Sequence, residues 1–287
     1  MAWIGGNWRR RFAGALVCAS FAVGASGQVR FRLEPRDIIA KRLKSFRMDN
    51  QAREDAIREL FAQSGCGKAN LSEEAAKFGL PPNAICVLPG ETQEVIVVGA
   101  HTDHVTNAGD GVVDNWSGAA LLPSLLFSLS GEKRRHTYVF VGFTGEERGM
   151  LGSEYYVDHL TAAERGHIDG MVNMDSLGLT STKVWASHAD QVMLDALASV
   201  VLSSKHPVGT SNVDNIGSTD SETFARYHIP RVTLHSVTPE NVQVLHSEND
   251  KLGAIKMDDY YESYRLLAEY LAYLDDVLTA TNKAKKN

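Results

Sequence analysis

Cysteine is scarce in this chain, with three in 287 residues. That excludes a metal site built from thiolates. Cys18 falls in an apolar N-terminal stretch, which leaves Cys66 and Cys86; two thiols make a poor zinc site, and outside the cytoplasm such a pair joins as a disulfide. Long apolar runs are lacking too: past the N-terminus no segment reaches the ~20 residues of a membrane-spanning helix. Basic residues are outnumbered, 29 Lys and Arg against 35 Asp and Glu, for a formal charge of −6. An acidic chain without a basic stripe argues against nucleic acid and anionic membrane as partners. Repeats and linkers are absent, and the length suits one large α/β domain.

What is present begins with a targeting pattern. Arg9, Arg10 and Arg11 precede the apolar stretch Phe12 to Val23, and small residues Ala25, Ser26 and Gly27 follow. This is the order of a signal peptide, with an apolar part too short to span a bilayer. Residues 1–27 are therefore expected to be a signal, 28–280 the folded domain, and 281–287 a disordered basic tail. Loss of the signal takes the formal charge from −6 to −9. The mature chain is expected to be secreted or periplasmic, free of the membrane.

Apolar residues recur at helical spacing from Asp37 to Ala62, in Ala119 to Leu129, in Gly152 to Leu160 and from about Asp258 to Thr279,. Strands are predicted at Asn83 to Leu88, Glu94 to Ala100, Tyr138 to Phe143, Gly170 to Met174 and Arg231 to His235, the first two separated by the turn signal Pro89-Gly90,. Such alternation predicts a single α/β domain with a central mixed, mostly parallel sheet covered by helices on both faces.

In such sheets ligands gather at the carboxyl ends of the strands. His101 and Asp103 follow one strand, and alternation points both to the same side. An imidazole can bind a metal through one nitrogen while the other donates to a carboxylate, so His101 is read as a ligand and Asp103 as its orienting partner. Asp114 sits in a glycine-rich turn and suits either a helix cap or a carboxylate bridging two metals. Glu146 and Glu147 end another strand. Consecutive acids there can be a solvated helix start, but one can also ligate while its neighbour takes a proton from water. Asp175 closes a further strand, and Asp250, four residues after His246, is read as an acceptor for it. If these elements converge, so many buried carboxylates stay charged only with cations among them. Nitrogen and oxygen donors without thiolate suit zinc, with manganese or cobalt as substitutes.

The stretches VIVVGAHTDH, GVVDNWSGAA, VFVGFTGEERGMLGSEYYV, MVNMDSLG, GSTDSETFARYHIPRVTL and LHSENDKL together resemble the di-zinc aminopeptidases, secreted bacterial exopeptidases related to glutamate carboxypeptidases and glutaminyl cyclases. The resemblance implies a zinc-exopeptidase fold in which Asp114 bridges two Zn²⁺, His101 and Asp175 complete one site, and Glu147 and His246 complete the other. It also implies a cis Asp114-Asn115 bond. Glu146 matches the family's general base, which deprotonates a metal-bound water, and the expected substrates are peptides with a free N-terminus. Asp220 and Phe224 are assigned to the loop that receives the substrate side chain. Two departures stand out: Ser221 replaces a frequent family His, and Pro123 interrupts an expected helix. A single-zinc glutaminyl cyclase, a carboxypeptidase and a non-catalytic ectodomain are the competing readings.

Overall fold

The computed structural model describes residues 30–285. The expected signal peptide, residues 1–27, lies outside the described residues.

Two helices, α1 (Arg36–Leu43) and α2 (Asn50–Gln63), precede an eight-stranded sheet. Its strands are β1 (Leu71–Glu74), β2 (Asn83–Leu88), β3 (Val95–His101), β4 (Thr137–Phe143), β5 (Ile168–Met174), β6 (Lys183–Val184), β7 (Gly209–Thr210) and β8 (Arg231–His235), in the spatial order β1-β2-β4-β3-β5-β8-β6-β7. The central strands β4, β3, β5 and β8 are parallel, while β1, β2 and β6 pair antiparallel with neighbours. Although Pro89-Gly90 separates β2 from β3 in sequence, the two are not partners; β4 lies between them.

The central strands are buried on both faces, which is why they read as nearly unbroken apolar runs. Alternation sorts their side chains. Ile96, Val98, Tyr138 and Phe140 face the larger core, with Ile57, Phe61, Leu122 and Leu267. Val97, Val139, Val141 and Phe143 face the smaller one, with Tyr156 and Phe224,. Between β3 and β4 come α3 (Ser117–Ala119) and α4 (Leu122–Leu129); the chain leaves regular helix between them, and Pro123 occupies the first turn of α4, where its missing N–H costs nothing,. Then follow α5 (Leu151–His159), α6 (Ala162–Gly166), α7 (Gln191–Ser204) and α8 (Ser221–Ala225).

The last helix, α9, runs from Met257 to Lys285. Residues 286 and 287 of the expected basic tail lie outside the described residues. Cys66 and Cys86 are joined in a disulfide that ties the end of α2 to β2. No described helix is long and apolar enough to cross a membrane.

Candidate metal centre

Because β3, β4, β5 and β8 are parallel, their carboxyl ends share one edge of the sheet, and the chemistry-bearing residues meet there. His101 is the last residue of β3 and is 1% exposed. Its Nδ1 lies 3.1 Å from the backbone oxygen of Asp103 and 3.7 Å from that residue's carboxylate. The carboxylate of Asp103 accepts hydrogen bonds from the N–H groups of Glu146 and Glu147, at 3.1 and 3.3 Å. Asp103 thus orients the imidazole mainly through its carbonyl, and the glutamate turn through its side chain.

The turn carrying Asp114 is sewn to the end of β5. Asn115 donates to the Met174 carbonyl at 2.9 Å and accepts from the N–H groups of Gly118 and Ser176, while the Ser117 hydroxyl accepts from the Leu177 N–H at 2.8 Å. A Cβ at Gly118 would stand 2.7 Å from the Met174 carbonyl, so only glycine lets the two segments approach this closely,. The Asp114-Asn115 peptide bond is cis.

Asp250 does something other than expected. Its carboxylate accepts from the N–H groups of Val113 at 2.6 Å and Asp114 at 3.1 Å, and so braces the Asp114 turn rather than the His246 ring. The reason is local: His246 has φ 52°, outside any helix, so the four-residue spacing does not stack the two side chains,.

Beneath the site lies a cation that has no local motif to announce it. Arg53 on α2 is fully buried and donates to the carbonyls of Thr102, Asp110 and Gly111, the segments that carry His101 and Asp114. Burial lowers its pKa to about 10, against the pull of Asp103, Asp250, Asp114 and Glu147. The adjacent Glu54 accepts from the Thr102 hydroxyl at 2.8 Å.

Asp114 is central to the ligand atoms. One of its oxygens is 3.2 Å from His101 Nε2 and the other 3.2 Å from His246 Nε2. Asp175 lies 3.7 Å from His101 Nε2, and Glu147 lies 2.9 Å from His246 Nε2. His101, Asp114 and Asp175 form one group whose ligand atoms all fall within 4.8 Å of one another; Asp114, Glu147 and His246 form another. Glu146 also approaches His101, at 4.0 Å.

Electrostatics agree with a site meant for cations. Burial pushes the Glu146 carboxyl well above the usual range, with His101 opposing and Asp220, Asp175 and Asp114 adding to the rise. Glu147 is raised for the same first reason, and burial raises Asp220 to about 7 and Asp250 to about 6. Burial also works against charge on Asp114, but hydrogen bonds from His101 and His246 outweigh it and hold that carboxyl below its ordinary value. His246 is raised to about 10 by its bonds to Asp114 and Glu147. The buried Oε1 of Glu147 has no hydrogen-bond partner. Two imidazoles and three carboxylates, one of them Glu147 with its orphaned oxygen, are a donor set that divalent zinc fits,.

Residues 83–271 match the family described as peptidase family M28. This chain belongs to peptidase family M28. It is 40% identical over 91 residues to leupeptin-inactivating enzyme 1 of Streptomyces exfoliatus, a match covering 31% of this chain and about a fifth (20%) of that protein. In fold it is similar to the LapA aminopeptidase of Legionella pneumophila, with TM-score 0.67 and 18% identity over 85% of this chain and 76% of that one. It is also similar to the glutaminyl cyclase of Porphyromonas gingivalis, with TM-score 0.63 and 16% identity over 82% and 95%. At these identities the two likenesses concern the fold alone.

In this member of family M28 the clustered side chains, Glu146 among them, line a pocket of about 110 Å³. Trp185, Val213, Ile216, Val237 and Leu245 make the apolar part of its lining, beside polar Ser218, Thr219, Thr233 and His235, and among the described residues no lysine or arginine lines it. The expectation that Phe224 lines it is corrected: Phe224 is fully buried in the smaller core, its ring centroid 6.3 Å from that of Phe143, because α8 turns that face onto the sheet. Asp220 is likewise fully buried and does not line the pocket. Of the arginines in the matched stretches, Arg226 pairs with Glu154 at 2.6 Å and Arg148 borders a neighbouring cavity with Asp103 and His104. His235, also in the pocket, ends β8; the rule that pointed to the other strand ends covers it too,.

Proposed function

We propose that this M28 peptidase is a secreted exopeptidase that removes N-terminal residues from peptides with the aid of two zinc ions. The observation that carries this reading is the position of Asp114, with one oxygen 3.2 Å from His101 and the other 3.2 Å from His246. His101 and Asp175 would hold one ion, Glu147 and His246 the other, and Asp114 both. When bound, such ions supply Lewis acidity, polarising a carbonyl and making water a nucleophile at neutral pH.

The chain's own residues do the rest. Glu146, raised in pKa by burial, accepts the proton of the attacking water and returns it to the departing amine. Asp103 keeps Glu146 and Glu147 in register through their N–H groups. Because the pocket offers carboxylates and, among the described residues, no lysine or arginine, it favours a substrate ammonium over a terminal carboxylate, which arginine would grip bidentately. The wall of Trp185, Val213, Ile216, Val237 and Leu245 favours an apolar first side chain.

The test is a peptide panel offered to the zinc-loaded mature protein, with free, N-acetylated and C-amidated versions of each sequence. Release of the first residue from free and C-amidated peptides, lost on acetylation, is the expected result. Trimming of acetylated peptides from the C-terminal end would reject the assignment in favour of a carboxypeptidase, and ring closure of N-terminal glutamine without hydrolysis would do so in favour of a cyclase.

A further inference from the structure

The outermost part of the apolar wall is a stretch without regular structure, residues 211–218, which carries Val213 and Ile216 into the pocket. Ile216 is 48% exposed, and the stretch has one internal backbone turn, from Ile216 N–H to Val213 O. Its ends are fixed: Ser211 accepts from His235 at 3.0 Å, and the Thr219 hydroxyl donates to Asp175 at 2.8 Å. Between those ends, the side-chain ties shown among the described residues run through Asn212 and Asp214 to the segment Trp185–His188. Asn212 accepts from the Ser187 N–H at 3.1 Å. One oxygen of Asp214 receives the Trp185 indole N–H at 3.1 Å, the Ser187 hydroxyl at 2.7 Å and faces His188 Nε2 at 2.9 Å.

The anchor continues inward. The His188 ring stacks on Trp185 with centroids 4.4 Å apart, and its Nδ1 faces Glu222 at 2.7 Å, which in turn pairs with Arg231 at 3.2 Å. Trp185 therefore does two jobs: its indole is part of the apolar wall, and its N–H holds the carboxylate that fixes the adjoining loop. A residue lying outside the pocket, Asp214, is thus set to govern the position of two that line it.

We infer that Asp214 is a specificity-determining positioning residue, one that fixes Val213 and Ile216 against Trp185 and so sets the shape of the pocket for the substrate's first side chain. This rests on the proposed aminopeptidase reading. A loop held in one arrangement binds a complementary side chain without the cost of ordering itself on binding. Loosening it weakens large apolar side chains, which touch the wall, and spares small ones, which do not reach it. The chemistry at Glu146 and the metal ligands stays as it is.

The experiment uses the zinc-loaded mature chain with alanine, leucine and phenylalanine anilides, comparing wild type with Asp214→Ala and the milder Ser187→Ala. In Asp214→Ala, KM for leucine and phenylalanine anilides should rise about tenfold, the scale of a lost apolar contact. KM for the alanine anilide, kcat and zinc content should stay within about twofold, and Ser187→Ala should shift the same ratios by less. An equal change for all three anilides, or none, overturns the inference. If wild type cleaves no anilide, the aminopeptidase reading fails by itself; limited proteolysis within 211–218 still decides the anchor, since Asp214→Ala must be nicked faster than wild type, and equal rates refute it.

Discussion

The carboxylate of Asp250 accepts a hydrogen bond from the backbone N–H of Asp114 at 3.1 Å, with a second from Val113 at 2.6 Å. Asp250 therefore sets the orientation of the residue that faces both histidines, from a position with no contact to either imidazole among those described. Replacement by Asn leaves one N–H facing an amide donor. Groups that orient ligands typically account for about 10- to 100-fold in metal affinity, and Asp250→Asn should lose zinc to a competing chelator by that factor. Unchanged retention would show that the Asp114 turn holds its shape without this brace.

The two glutamates after β4 should separate by function. Glu146→Gln should keep its metals and lower kcat by about 10²- to 10⁴-fold, the scale of a lost general base. Glu147→Gln should instead lose metal, since this carboxylate sits 2.9 Å from His246 and carries the orphaned oxygen. Elemental analysis alongside steady-state rates distinguishes them; equal loss of metal in both variants would overturn the division.

Away from the site, His136 links three elements, its Nε2 3.0 Å from Asp169 and its Nδ1 3.0 Å from Asp275. Burial disfavours its charge, but the bonds to Asp169 and Asp275 prevail and raise its pKa from 6.5 to about 9. A histidine raised in the folded state contributes stability fully below its unfolded value, and the contribution fades as pH rises through the folded one. Urea unfolding should therefore show a decline from pH 7 to 10, with a ceiling of about 3 kcal/mol from this group. His136→Gln should be less stable at pH 6 and lack that share of the decline. A variant whose pH profile parallels wild type would contradict the assignment.

How much of this was legible in sequence follows from where the information lies. Strands β3, β4, β5 and β8 are apolar runs that end in His101, Glu146-Glu147, Asp175 and His235 or just before them, so both the sheet and its functional edge show locally. The edge strands β1 and β7 and the interior β6 are short and carry no alternation, and β6 and β7 exist only through partners 25 or more residues away along the chain. Helix α7, QVMLDALASVVLSS, is too apolar for a clear stripe. The pocket wall and Arg53 were invisible for another reason: Trp185, Ile216 and Arg53 owe their roles to long-range approach and not to spacing. The four-residue spacing of His246 and Asp250 points to the wrong partner because the backbone at His246 is irregular and not helical, and the short helix carrying Phe224 gives little clue to which face is buried.

The central claim is that Asp114 stands between two metal positions, and the most direct measurement is the zinc content of purified mature protein, wild type and Asp114→Asn, after dialysis against zinc and removal of free ion. The account predicts two equivalents in wild type, with loss from both positions in the variant because Asp114 faces His101 and His246 alike. One firmly bound equivalent in wild type, retained when His101 or Asp175 is replaced, would contradict it and leave a single-zinc enzyme on this fold.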